Sequence, residues 1–327
     1  MKLGTVQDGS RDGMLMVVDA RGETAVSACS VSPNLQHALD NWDSVEGALR
    51  DMAQRLEHGN CRDARPVAAM TWRAPLPRAY QLLDGGGYMP HLELGYQLRR
   101  QAVPPEIATA PMFYQSVSDS LLGPCDDVAL QGDELGVDFE AEIAVITTDV
   151  AQGSSMEQAV GQIRLLTLMN DISLRFVQRK EFAMGFGFFN AKPKKAFAPF
   201  AVTPDELGSL WSHAIPRLAV RVEVNGHKFA EVQSGEDVLF DFAALVSGAS
   251  RHRALASGTI LAGGTVSNRD RSRGQCCIYE RRVLDTLATG REDTPYLSNG
   301  DRVRIEALLP GGGSVFGAMD QRYRLTT

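Results

Sequence analysis

The chain is short of the features that most directly reveal function. Its 327 residues include five cysteines, Cys29, Cys61, Cys125, Cys276 and Cys277. The set is odd in number, has no C-x-x-C spacing, and contains an adjacent pair badly placed to bridge itself, so the thiols are read as reduced rather than as a disulfide framework. No window approaches the roughly 18 uninterrupted apolar residues of a membrane span. The opening "MKLGTVQDGSRDGMLMVV" alternates turn signals with short apolar runs and lacks the apolar stretch of a secretory signal. A cytoplasmic protein without a membrane partner is therefore expected. Basic residues are in deficit as well: the formal net charge is −7, and lysines cluster only in "KPKK" at 192–195. Nucleic acid is not an expected partner.

What is present is an ordinary globular composition, 44% hydrophobic and 22% charged, enough for one large domain or two unequal ones. Residues 1–30 read as short strands, with Asp12-Gly13 as a turn. Residues 35–57 read as a helix, because Leu35, Ala38, Leu39, Trp42, Val45, Leu49, Met52 and Leu56 recur at three- and four-residue steps. A boundary falls near residue 73, giving a small β-rich amino-terminal domain (1–73) and a larger carboxy-terminal one (74–327). In the latter, "RLAVRVEVNGHKFAEVQ" is a hairpin turning on Asn225-Gly226. "FDFAALVSGASRHRAL" reads as a helix, "SMEQAVGQIRLLTLMNDIS" as a helix that breaks near Asn170, and residues 301–325 as a closing hairpin.

One strand-like run is chemically unusual. "GVDFEAEIAV" places Asp138, Glu140 and Glu142 on one face and Phe139, Ala141 and Ile143 on the other. Like charges so arranged repel unless a cation sits against them. Oxygen-only ligation selects a hard ion, Mg²⁺ or Ca²⁺. Alpha carbons two apart on a strand are roughly 6.5–7 Å apart, so Glu140 and Glu142 can lean onto one ion, with Asp138 in reserve. Asp171, directly after an apolar run, can bring another acid, and Arg175 and Gln178 follow it at helical spacing. On pattern alone, an acidic strand is more often a solvated face. His37, His58, His213, His227 and His252 carry no such context and are read as structural or exposed. Gly85–Gly87 and Gly311–Gly313 lack the Lys-Ser/Thr ending of a phosphate loop and are read as turns.

In order along residues 70–327, "DFEAE", "MNDIS-x-R-x-x-Q", "GFFNAKP" and "ILAGGTVSN" resemble the fumarylacetoacetate hydrolase family, and the first domain resembles that family's small barrel-like module. The resemblance implies an α+β, mostly β fold: a mixed β-sandwich roll with a small amino-terminal β-rich domain. Its fumarylacetoacetase branch carries an aspartate ligand, a catalytic histidine seven residues on and a substrate-binding arginine nine further; Asp84, His91 and Arg100 reproduce those intervals, with Arg99 adjacent.

By the same resemblance, Asp84, Glu140, Glu142 and Asp171 would bind the metal, Glu280 would orient His91, and Arg175, Gln178 and Lys192 would surround the developing oxyanion or enolate. Tyr114 and Thr265 would contact substrate. The implied activity is hydrolysis of a carbon–carbon bond in a fumarylacetoacetate-like 1,3-diketo acid, giving fumarate and acetoacetate, within tyrosine or other aromatic catabolism, by a homodimer. Oxaloacetate decarboxylation, or isomerisation or hydration of a 2-oxo acid, is the alternative; a catalytically idle scaffold is a third reading. Two tyrosines of the family pattern are replaced, by Gly86 and Phe182, which removes two hydroxyl contacts to substrate while leaving the metal ligands and the base in place.

Overall fold

The structure, a computed structural model, describes residues 1–185 and 187–326. Its largest sheet has eleven strands. From one edge they run Arg65–Pro66, Thr24–Ser27, Met14–Val18, Lys2–Val6, Phe200–Val202, Ile163–Asn170, Ala141–Thr147, Thr259–Ala262, Leu82–Gly85 and Phe113–Ser116, with Ala196–Phe197 also paired to Ile163–Asn170. The amino-terminal strands join this sheet directly, Leu3 lying opposite Ala201. A second sheet of five strands orders His227–Gln233, Ala219–Val224, Arg302–Leu308, Met319–Thr326 and Val128–Gln131. Pairing is mostly antiparallel, but Leu82–Gly85 runs parallel to Thr259–Ala262. The fold is thus α+β with strands predominant.

Side-chain alternation explains the layers. Ile143 and Val145 point into a core shared with Val220, Val222, Val303 and Ile305 of the second sheet. Ala144 and Ile146, on the opposite face, pack with Leu82, Ile260, Leu49 and Met52 beneath the helix Trp42–Glu57. A strand buried on both faces loses the polar–apolar alternation that identifies a half-exposed one. That is why the stretch expected as a helix over 155–173 is different: the helix covers only Met156–Val160, and Ile163–Asn170 is a central strand. The helix expected over 35–57 is interrupted at Asn41, giving Leu35–Asp40 and Trp42–Glu57. The Asn225-Gly226 turn has positive φ at both residues, 52° and 77°, as a type I′ hairpin requires. All five cysteines are unbridged.

Candidate active site

The acids occupy the ends of apolar rows. On the face that packs beneath the helix Trp42–Glu57, the row Ile146, Ala144 continues to Glu142, Leu82 continues to Asp84, and Asp171 lies two residues beyond Met169. Cross-strand register brings the rows side by side: Met169 lies opposite Glu142, Ala144 opposite Ala262, and Ala262 opposite Asp84. Carboxylate oxygens of Asp84, Glu140, Glu142 and Asp171 fall within 4.8 Å of one another, and all four residues are buried.

Two glycine turns hold the Asp84 strand in place. The Gly87 amide donates to the Gly263 carbonyl (3.1 Å), and a Cβ on Gly87 would lie 2.3 Å from that oxygen. Gly264, at φ +82°, would bring a Cβ to 2.5 Å from the Gly85 carbonyl oxygen. Only glycine fits both the backbone angle and the approach at Gly264.

Cations offset part of the charge. The Lys192 Nζ donates to Glu140 Oε2 (2.9 Å), Asp171 Oδ2 (2.6 Å) and Ser173 Oγ (2.8 Å). Fully buried Lys195 donates to the Ile172 carbonyl (2.9 Å) and makes an ion-pair contact of 2.5 Å with Asp171 Oδ1, without the direction of a good hydrogen bond. The Tyr114 hydroxyl donates to Asp171 Oδ2. Arg175 binds Asp138 Oδ2 through Nε (2.8 Å), pairs with Glu140, and donates through Nη1 to Gln178 Oε1 (3.1 Å). Asp138 therefore serves elsewhere than at the four-acid cluster. Besides Arg175, it accepts the amides of Ile278 (2.7 Å) and Tyr279 (2.9 Å) at the start of the helix Ile278–Thr289.

Counting these ionised, Asp84, Asp138, Glu140, Glu142 and Asp171 face Arg175, Lys192 and Lys195, which leaves two negative charges unmatched. Asp84 Oδ1 and Glu142 Oε2 are buried without a hydrogen-bond partner among the described residues. Unpaired buried carboxylate oxygens are costly, and one hard divalent ion supplies both the missing partner and the missing charge. The four carboxylates therefore fit a divalent metal.

Their protonation tendencies reflect the same imbalance. Burial, reinforced by the charge of Asp171, pushes Asp84 up to about 8. Burial and the charge of Asp84 likewise hold Glu142 well above the usual carboxylate range. Burial acts on Glu140 too, but Arg175 and Lys192 overcome it and hold that group well below its usual value. For Lys192, burial is outweighed by Asp171 and Glu140, and the ammonium is held above its ordinary value.

His91 arrives from a different element, the helix Met89–Leu98, whose start is anchored by the Tyr88 hydroxyl on the Ser234 carbonyl (2.7 Å). Its Nδ1 lies 2.8 Å from Glu280 Oε1, on the first turn of Ile278–Thr289. Glu280 is buried, whereas the His91 side chain keeps 23% of its surface accessible, leaving Nε2 for another partner. Burial alone would pull the imidazole down, but the Glu280 hydrogen bond and charge, with Glu140 behind them, raise it above its ordinary value.

The remaining expected residues divide. Thr265 is buried with its hydroxyl 3.4 Å from Glu142 Oε1, and Tyr114 lies opposite Asp84 on the neighbouring strand. Arg100 is exposed at φ 56°, just beyond the helix that carries His91, and no hydrogen bond or ion pair holds its side chain among the described residues. Arg99 stacks on Tyr96 at 4.6 Å. Phe182, where a tyrosine was expected, is largely exposed and packs edge-on against Phe188, which in turn meets Tyr114. Sequence reasoning missed Lys195, Ser173 and Tyr279, whose ring lies 5.1 Å from the Arg175 guanidinium. Burial distinguishes Lys195 from its exposed neighbour Lys194, and nothing in "KPKK" signals that.

Fold and site together define a class: a strand-rich α+β protein whose buried carboxylate cluster can hold a divalent metal beside a histidine–glutamate pair. The chain belongs to the fumarylacetoacetate hydrolase family. Residues 82–323 match the fumarylacetoacetate (FAA) hydrolase C-terminal model, and residues 1–78 match the fumarylacetoacetase N-terminal domain 2 model. A 2,4-didehydro-3-deoxy-L-rhamnonate hydrolase of Sphingomonas sp. (strain SKA58) is 28% identical over 76% of this chain and 86% of its own length. A human mitochondrial oxaloacetate tautomerase is 25% identical over 61% of this chain and 60% of its own. The fold matches maleylpyruvate hydrolase from Sphingobium sp. SYK-6, solved with manganese(II) and pyruvate, at a TM-score of 0.68 and 17% identity over 100% of both chains. The relatives are hydrolases, isomerases and tautomerases, and this chain is a member of that enzyme family. Among the described residues, no helix is long and apolar enough to cross a membrane.

Proposed function

We propose that the chain is a divalent-metal-dependent hydrolase that uses water to cleave a carbon–carbon bond in a fumarylacetoacetate-like 1,3-diketo acid, releasing two carboxylic acids. The observation that carries this reading is the His91–Glu280 pair beside the acid cluster: a base, oriented by a buried carboxylate, whose second ring nitrogen has no hydrogen-bond partner among the described residues. When bound by Asp84, Glu140, Glu142 and Asp171, Mg²⁺ or Ca²⁺ would supply Lewis-acid polarisation of a substrate keto oxygen.

In this reading, His91 Nε2 takes a proton from water, and the water oxygen forms its bond to the keto carbon. Glu280 steadies the resulting imidazolium. As the tetrahedral adduct collapses, the carbon–carbon bond breaks and its electron pair leaves as an enolate, which Lys192 and Gln178 stabilise and the imidazolium finally protonates. One such donor is worth on the order of 100-fold to 1000-fold in rate. Arg175 holds Glu140 in place, while Thr265, Tyr114 and Arg100 face the substrate. A homodimeric enzyme of tyrosine or other aromatic catabolism completes the proposal.

A second reading, proton transfer at a 2-oxo acid, draws support from the tautomerase relatives, since the same His91 can move a proton alpha to a carbonyl. Acylpyruvates, fumarylacetoacetate and oxaloacetate, each with Mg²⁺ or Mn²⁺ and again with chelator, separate the two. Metal-dependent loss of the diketone absorbance supports hydrolysis. Intact diketones alongside accelerated enol–keto exchange of oxaloacetate support the second reading and reject the first.

A further inference from the structure

Cys277 is a buried nucleophile that the proposed mechanism leaves unused. It immediately precedes the helix Ile278–Thr289, and one ring nitrogen of His91, the Cys277 sulfur and a Glu280 carboxylate oxygen lie within 4.8 Å of one another. Cys277 and Glu280 are buried, so His91 is the member of the trio that solvent reaches. Glu280 Oε1 serves His91, but Oε2 is buried with no hydrogen-bond partner among the described residues, and Arg271 Nη1 stands 3.8 Å from it. The other charges around the thiol are Asp138, Glu140 and Arg175, and Arg175 already pairs with both of those carboxylates.

This donor set differs in kind from the four carboxylates. Thiolate sulfur, imidazole nitrogen and a single carboxylate oxygen suit Zn²⁺, which accepts three protein ligands with a fourth position open, whereas oxygen-only sites favour hard ions. With metal–ligand bonds of about 2.0–2.3 Å, tetrahedral ligand atoms stand about 3.3–3.6 Å apart, so the trio closes onto an ion by moving no more than about 1.5 Å. The partly exposed imidazole is the member least held by packing. Burial, with the charges of Glu280 and Asp138, holds the Cys277 thiol well above its ordinary value, so the metal replaces a proton that passes to solvent. Resting on the reading of His91 as the base, we propose that His91, Cys277 and Glu280 form a second metal site, selective for Zn²⁺ and Cd²⁺, whose occupation inhibits the enzyme by tying up the imidazole while the four carboxylates keep their own ion.

Titration of the full-length protein with CdCl₂, in excess Mn²⁺ to fill the carboxylate cluster, tests the site directly, because a Cd²⁺–thiolate bond absorbs in the ultraviolet and a Cd²⁺–carboxylate bond does not. The triple variant Cys29→Ser/Cys61→Ser/Cys125→Ser keeps only the two buried thiols and should retain a saturable thiolate absorption. Adding Cys277→Ser should abolish it. Adding His91→Ala instead should weaken Cd²⁺ binding by about tenfold or more, since even groups behind the ligands carry that much affinity, and this check stands if Cys277→Ser does not fold. Zn²⁺ should slow turnover of whichever diketone or oxaloacetate the enzyme accepts, and Cys277→Ser should raise the half-inhibiting Zn²⁺ concentration by about the same factor, each variant measured against its own uninhibited rate. No thiolate absorption in the triple variant, absorption that survives Cys277→Ser, or Cd²⁺ affinity unmoved by His91→Ala overturns the proposal and leaves the hydrolase reading intact. Absorption that depends on Cys277 and His91, with full turnover at saturating Zn²⁺, overturns the inhibitory role and the assignment of His91 as base together. The absorption decides the metal site even if none of these substrates is turned over.

Discussion

At the scale of single residues, the pair to test is His91 and Glu280. A positioned general base contributes roughly 100-fold to 10,000-fold, so His91→Ala should lower kcat by about that range with little change in KM. Glu280→Gln offers a sharper result, because the two roles of Glu280 move different observables. Its charge stabilises the imidazolium, so the His91 pKa lies above its ordinary 6.5. Water activation needs neutral imidazole, so kcat/KM should fall as pH drops through that raised value. Replacing the carboxylate removes the stabilisation, and the acid limb should move to lower pH while the plateau rate falls by about 100-fold from lost orientation. A pH–rate profile whose acid limb stays in place in Glu280→Gln would show that some other group titrates.

At the scale of elements, the site depends on two glycine turns meeting over the end of a strand. Gly264→Ala places a methyl 2.5 Å from the Gly85 carbonyl oxygen at a φ of +82°, so the chain must shift next to Asp84. Gly153 has a similar φ, +73°, but a Cβ added there would meet nothing within 4 Å among the described residues, so Gly153→Ala measures the cost of the angle alone. Denaturant melts should show about 1 kcal/mol lost in Gly153→Ala and about 2–3 kcal/mol or more in Gly264→Ala, with weaker Mn²⁺ binding only in the latter. Equal losses in the two variants, with Mn²⁺ binding intact in both, would remove the close approach from the account.

The same elements show what was legible in the sequence. The alternation of "DFEAEIAV" marks Glu140 and Glu142 because apolar residues fill the positions between them, and both acids are buried in the cluster. Ile163–Asn170 was not legible: with Leu165 and Met169 in one core and Leu166 and Leu168 in the other, its apolar run carries no period to separate strand from helix. Asp138 could not be separated from its neighbours by alternation either, since its partners are the amides of Ile278 and Tyr279, 140 and 141 residues away. Lys195 escaped for a related reason, because which lysine of a run turns inward is decided by tertiary packing.

At the scale of the whole molecule, the acid cluster links metal, proton and stability. Asp84 is raised from 3.8 to about 8 in the folded, metal-free protein, so between those values the folded chain holds a proton that the unfolded chain has released. Its contribution to stability is therefore full below the unfolded value and is lost as pH rises through the folded one. Binding a divalent ion requires the ionised carboxylate, so below about 8 the ion must displace the proton, and above that value it binds a site already ionised. Saturating Mn²⁺ stabilises the folded state in proportion to the logarithm of its occupancy ratio, so the metal-induced rise in Tm should grow with pH up to about 8 and level off beyond it. Chelator should reverse the rise. Calorimetry at neutral pH in two buffers of different ionisation enthalpy gives the independent check, because released protons make the apparent binding enthalpy depend on the buffer. Identical enthalpies in the two buffers, with a Tm gain that does not vary with pH, would show that the cluster is already ionised in the metal-free protein and that burial does not hold a proton on Asp84.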